Sequence, residues 1–210
     1  HNARGPALEQ GARGANANDD GTPHYQRAPQ TLAGAAGGEA DARAARERLA
    51  DLLGLTGRRA EALTHYDTLR EQMAADHVAA ARMLRKIGAL HWDAGDRDRA
   101  AVCFTDGLRH LGDGGDPIER AHLFQEMGRL AFRAGDNAAA IGWAERALAE
   151  ATQENDAAAT DPERLREAAI MRIQAYNTLG VALARTGRLA EAAEQIERSI
   201  GLAEERELLQ

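Results

Sequence analysis

Residues 85–104 read RKIGALHWDAGDRDRAAVCF, and the phrase returns as QEMGRLAFRAGDNAAAIGWA at 125–144 and NTLGVALARTGRLAEAAEQI at 177–196. An earlier copy, LADLLGLTGRRAEALTHY, occupies 49–66. The four align on Gly57, Gly95, Gly135 and Gly187. Seven residues before each glycine stands a small residue: Ala50, Gly88, Gly128 or Gly180. Five residues after it comes an alanine (Ala62, Ala100, Ala140, Ala192), and four beyond that Tyr66, Phe104, Ala144 or Ile196. A residue with little or no side chain lets a second helix approach closely. The central glycine breaks the first helix, and the alanine lets the returning helix pack back. A helix-turn-helix unit repeated in register predicts an all-α solenoid. Gly88, Gly128 and Gly180 are accordingly expected at close helix contacts.

The composition agrees with this reading. Apolar residues make up 44% of the 210-residue chain but aromatics only 4%. Alanine, the best helix former, dominates. Outward from the repeats, the hairpins are expected at about 41–74, 77–111, 117–152 and 162–206, within an array spanning 39–210. Asp116-Pro117 and Asp161-Pro162 each place a capping acceptor before a proline at the first helical position. The spacings between the aligned glycines are 38, 40 and 52. The last is long because ENDAAATDPERL is inserted near 153–164, which either lengthens the flanking helices or adds a loop.

Residues 1–38 differ. They hold Pro6, Pro23 and Pro29 and no apolar periodicity, so they bury too little to offset the entropy of ordering. They are expected to form a flexible arm. HYQRA at 24–28 is similar to THYDTL at 64–69, which suggests the remnant of a preceding repeat.

The positions Leu84, Ile87, Gly88, Ala100, Phe104 and Gly107 recur as Phe124, Met127, Gly128, Ala140, Ala144 and Ala147. They recur again as Tyr176, Leu179, Gly180, Ala192, Ile196 and Ser199, and more poorly as Leu49, Ala50, Ala62, Tyr66 and Leu69. In this the chain resembles the tetratricopeptide repeat over about 41–206. The resemblance implies a right-handed superhelix of about four units. The first helix of each hairpin would line a concave face that holds a partner peptide or helix. Carried over to this chain, that face offers Ala44, Glu47 and Asp51, then Arg82, Arg85, Ala89 and Trp92. The third unit offers His122, Gln125, Arg129, Phe132 and Arg133, and the fourth Gln174, Asn177, Val181 and Arg185. The candidate groove residues are therefore Arg82, Arg85, Trp92, His122, Gln125, Arg129, Phe132, Arg133, Asn177 and Arg185. Arginine forks hold carboxylates bidentately and aromatics anchor interfaces, so the expected partner is a protein or peptide, acidic with an apolar anchor. The alternative is that arginine merely solvates the helix face. The family's carboxylate clamp is absent as a set, since Glu47 and Asp51, or Arg85, Ala89 and Glu126, fall at its places.

Units near 40 residues are also similar to arrays in large bacterial signalling ATPases and nucleotide cyclases. That resemblance implies a second reading: a self-association or intramolecular regulatory segment of a larger protein. None of the catalytic motifs of such proteins is present.

No chemistry-bearing constellation emerges. The seven histidines show no i, i+4 pair, so no metal ligand set is expected. Cys103 sits beside Phe104 in a packed neighbourhood and reads as a small apolar residue. The Gly-rich stretches at 34–38 and 112–115 lack the lysine of a phosphate loop. Asp19-Asp20 and Glu204-Glu205 read as solvated charge. The chain is expected to be non-catalytic, with no catalytic, metal or cofactor-binding residues. A net charge of −7 argues against nucleic acid, and no run approaches the ~18 apolar residues of a membrane span. The single cysteine suits a reducing cytoplasm. Lys86 is the only lysine among the basic residues, as the codon usage of a GC-rich bacterium would give.

Overall fold

Each hairpin turn closes on one of the aligned glycines. Gly57, Gly95, Gly135 and Gly187 have φ between 81° and 84°, the left-handed region that an L side chain rarely adopts. One residue past each glycine an amide reaches back five positions: Arg58 to Leu53 O, Asp96 to His91 O, Asp136 to Ala131 O and Arg188 to Leu183 O. This is the Schellman cap, which satisfies carbonyls the ending helix would leave orphaned. The next helix starts at once. In the middle repeats Asp96 and Asp136 accept from the amides of Arg99 and Ala139 at 3.1 and 2.9 Å. In the outer two an arginine takes that place and chelates the carboxylate three residues on, Arg58 to Glu61 and Arg188 to Glu191.

The computed structural model describes residues 38–157 and 161–208. These form eight helices and no strand: α1 Gly38–Leu55, α2 Arg59–Gln72, α3 His77–Asp93, α4 Arg97–Leu111, α5 Pro117–Ala134, α6 Asn137–Ala157, α7 Pro162–Arg185 and α8 Leu189–Leu208. The chain is all-α. It divides into two units, residues up to His65 and those from Tyr66 onward. In the first, α1 buries Ala45, Leu49, Ala50 and Leu53, a stripe at helical spacing. Apart from Gly38, the arm expected over 1–38 lies outside the described residues.

In the second unit three hairpins stack as a solenoid. α3 packs on α4, α5 on α6 and α7 on α8, while α4 meets α5 and α6 meets α7. The first helices α3, α5 and α7 are themselves neighbours, which lets their side chains share one face. The inserted residues lengthen the helices on either side, so that α6 has 21 residues and α7 has 24. Small cores sit at the interfaces. Phe104 and Leu123, both fully buried, join Ala81, Ala100 and Leu111; farther along, Leu179 and Leu183 pack with Ala144 and Ala192.

The three small positions of these hairpins are not equivalent. A Cβ on Gly88 would collide with the Phe104 ring, and one on Gly180 would lie 2.7 Å from Ile196 Cδ1. At Gly128 it would lie 3.5 Å from Trp143 Cβ, an ordinary contact. The approach is therefore tight at Gly88 and Gly180 and looser at Gly128, which is still buried against α6. The residue opposite it is Ala144, which leaves the space that Phe104 and Ile196 fill in the other hairpins.

Candidate functional site

The shared face of the first helices holds a depression of about 570 Å³. Trp92 reaches it from α3. Gln125, Glu126, Arg129, Phe132 and Arg133 reach it from α5, and Gln174, Asn177, Thr178 and Val181 from α7. Positions 125, 129, 132 and 133 on α5 lie along one helix face, as do 174, 177, 178 and 181 on α7.

The floor is polar and largely paired. Gln125 is 6% exposed, and its Nε2 donates to Thr178 Oγ1 at 2.8 Å and to the Gln174 carbonyl at 3.4 Å. Its Oε1 is buried without a hydrogen-bond partner among the described residues. The walls are aromatic and cationic. The Arg129 guanidinium stands 5.1 Å from the centre of the Trp92 ring, and Arg97 approaches the same ring at 6.0 Å. Arg185 stands 4.7 Å from the Phe132 ring. Such contacts hold a guanidinium over the ring's negative face and leave its edge donors available. Arg129 also donates to Glu126 at 2.9 Å. Arg133 is exposed and makes no ion pair or hydrogen bond among the described residues. The lining thus carries two arginines against one carboxylate.

Six of the ten sequence candidates therefore come together: Trp92, Gln125, Arg129, Phe132, Arg133 and Asn177. Arg185 stands beside them on Phe132. The other three do not line the depression. Arg82 is half-buried elsewhere on α3. Arg85 forms a bidentate pair with Glu119 of α5, at 2.5 and 3.1 Å, in which the side chains are only 19% and 7% exposed. His122 Nε2 lies 3.1 Å from Glu167 Oε1 of α7. The His122 ring, helped by Arg85 and Arg164, holds the Glu167 carboxyl below the usual range against the effect of burial. Arg85 and His122 thus join neighbouring repeats and leave the groove to others.

Glu119, Glu167 and Thr178 are what sequence reasoning missed. Arg85 sits three residues before Gly88 and Glu119 nine before Gly128, so the pairing shows only once the stagger of adjacent first helices is known. A similar seam closes the far edge. Arg164 of α7 pairs with Glu154 and, at 2.9 Å, with Asp116, while Arg120 holds Glu150 at 2.8 Å and the carbonyls of Gly112 and Asp113. Cys103 is half-buried; burial, then the Asp106 and Asp67 carboxylates, push its thiol up, so the nucleophilic thiolate is scarce. Among the described residues no group of three or more His, Cys, Asp or Glu could hold a metal ion, and no helix is long and apolar enough to cross a membrane.

The aligned small residues, αL caps and stacked hairpins set the context for comparison. Residues 173–206 match the tetratricopeptide repeat family. Repeats of this family generally mediate protein–protein interaction. The matched segment covers the second half of α7 and most of α8, so the tetratricopeptide signature is plainest in the last hairpin. Among solved structures, the crystal structure of BtubC (BKLC) from P. vanneervenii is similar with a TM-score of 0.68 and 18% identity, over 90% of this chain and 74% of that one. At that identity the likeness is one of fold. The crystal structure of MamA also matches, at 20% identity with a TM-score of 0.38, over 75% of this chain and 96% of that one. No curated protein matches the chain by sequence. The similarity to arrays of signalling ATPases and cyclases rests on sequence alone.

Proposed function

We propose that the chain is a non-catalytic interaction module that holds a partner segment on the face of α3, α5 and α7, and that the segment presents acidic residues beside an apolar anchor. One observation carries the reading: Trp92 and Phe132 line the same depression, each with an arginine over its ring. An apolar side chain entering between the rings brings flanking carboxylates to Arg129 and Arg133. Aromatic and arginine residues in a partly desolvated centre are the usual source of interface energy. Arg133 supplies a fork with no competing carboxylate among the described residues, and Asn177 adds a neutral donor and acceptor.

The test is fluorescence anisotropy with a labelled synthetic peptide that alternates Glu with Phe and Leu. A peptide with Lys for Glu serves as control. The acidic peptide should bind and the basic one should not. Binding should weaken as salt rises, because exposed charge pairs are screened beyond about 10 Å at 0.1 M ionic strength. Arg133→Glu and Trp92→Ala should each weaken it by about tenfold or more, the effect of losing ~1.4 kcal/mol. Arg58→Glu, on the turn of the first hairpin, should leave it unchanged. Equal binding by the parent, Arg133→Glu and Trp92→Ala would remove the groove as the site.

A further inference from the structure

The second helix of the last hairpin carries on its outer face the chemistry that the groove is suited to hold. On α8, Glu197, Ile200 and Glu204 follow one another at three and four residues, and so share one side of the helix. All three are exposed, Ile200 to 52%. A large aliphatic side chain is thus held in water between two carboxylates. A neighbouring side of α8 buries Ala192 and Ser199, the latter donating to the Ile173 carbonyl at 2.9 Å, which seats the helix with Ile200 outside.

We propose that this face of α8 docks into the Trp92–Phe132 groove of a second copy, head to tail. The inference rests on the reading of the groove given above and names its occupant. Ile200 enters between the two rings. Glu197 and Glu204 lie about 10 Å apart along the axis, at ~1.5 Å per residue, one on each side of the anchor. They meet Arg133 and Arg129, which stand one turn apart on α5. Charge complementarity favours this pairing over any of two like faces. The groove carries arginine, and the exposed charge beside Ile200 is carboxylate. Apolar anchors at helical spacing laid in a groove are a common mode of recognition. Donor and acceptor faces differ, so the contact is heterologous. Each copy then offers a free groove at one end and a free α8 at the other, and copies add in a chain or close a ring.

Sedimentation velocity over a micromolar concentration series tests the proposal. The parent chain should form species larger than a dimer as concentration rises, and high salt should disperse them. Arg133→Glu should block the groove and Ile200→Glu the docking face. Each variant alone should sediment as a monomer. Both positions are exposed, and circular dichroism melts should confirm that each variant folds. An equimolar mixture of the two should form a dimer and stop there, because one intact α8 meets one intact groove. A parent chain that stays monomeric, or a mixture that stays monomeric, overturns the proposal. A labelled peptide of residues 189–208 separates its failure from that of the groove reading. If the synthetic Glu/Phe/Leu peptide binds and the 189–208 peptide does not, the groove stands and α8 is not its occupant. If neither binds, both readings fall.

Discussion

Alanine placed at Gly88, Gly128 and Gly180 in turn is a sensitive probe of how the hairpins pack, because the three sites share a motif and differ in their neighbours. In a helix interior alanine is favoured over glycine by about 1 kcal/mol. Against that stands the cost of overpacking, about 1–3 kcal/mol where neighbours cannot yield. At Gly88 the new Cβ meets the Phe104 ring, which is wholly buried, with Cys103 Cβ 3.1 Å away. An aromatic ring in that setting has no second rotamer to take, so the cost falls toward the upper end and the net destabilisation is about 1–2 kcal/mol. At Gly128 nothing lies nearer than 3.5 Å, and the helix preference is realised almost in full. At Gly180 the Ile196 methyl at 2.7 Å is half-buried and can turn, but the Ala192 carbonyl at 3.1 Å cannot, and the two effects nearly cancel. The expected order of stability is Gly128→Ala, Gly180→Ala, Gly88→Ala. For a chain of this length 1 kcal/mol corresponds to about 2–4 °C in Tm. Far-UV circular dichroism melts and urea titrations of the three variants resolve such gaps. A Gly88→Ala variant as stable as Gly128→Ala would refute the account of the α3–α4 contact.

Other outcomes follow from the polar seams. Glu119→Gln leaves the Arg85 guanidinium largely buried without its carboxylate, and the cost should reach about 3 kcal/mol in urea melts, typical of breaking one side of a buried pair. Replacing both residues, as in Arg85→Met with Glu119→Leu, should recover most of that loss, whereas additive losses would show that the pair does not act as a unit. At Asp116 burial raises the carboxyl pKa, but the Glu119 amide and the Arg164 guanidinium outweigh it and the net position is below the ordinary value. A depressed folded-state pKa contributes stability above the unfolded pKa of about 4 and loses it as pH falls through the folded value. The parent chain should therefore lose Tm more steeply than Asp116→Asn as pH drops below about 4, and parallel Tm–pH curves would contradict this. Gly135→Ala places a Cβ at φ 84°, where space is open but the backbone is strained. It should destabilise by about 1 kcal/mol through the backbone alone, as equilibrium melts can read.

The chain's one-dimensional pattern determined the class of fold and the glycines on which the hairpins turn. Every hairpin is closed by the same local device, a glycine at positive φ with a capping acceptor or an Arg–Glu pair beside it, and local devices are readable in order along a sequence. The sharing of one face by Trp92, Arg129, Phe132 and Arg133 was implied by the resemblance to the tetratricopeptide repeat, which carries the positions of a common face over to this chain. What tertiary structure alone decided is which of those side chains remain available. Arg85 and Arg129 occupy nearby places in their first helices. The stagger of α3 against α5 brings Glu119 to Arg85, whereas Glu126 holds only one edge of Arg129 and leaves it on Trp92. Likewise Gly88 and Gly128 are the same letter in the same register, yet only Gly88 is crowded, because the residue across the hairpin is Phe104 in one case and Ala144 in the other. Pairings between residues some thirty to fifty positions apart depend on the offset between adjacent helices. That offset is set by the summed packing of many small side chains and is written in no single motif.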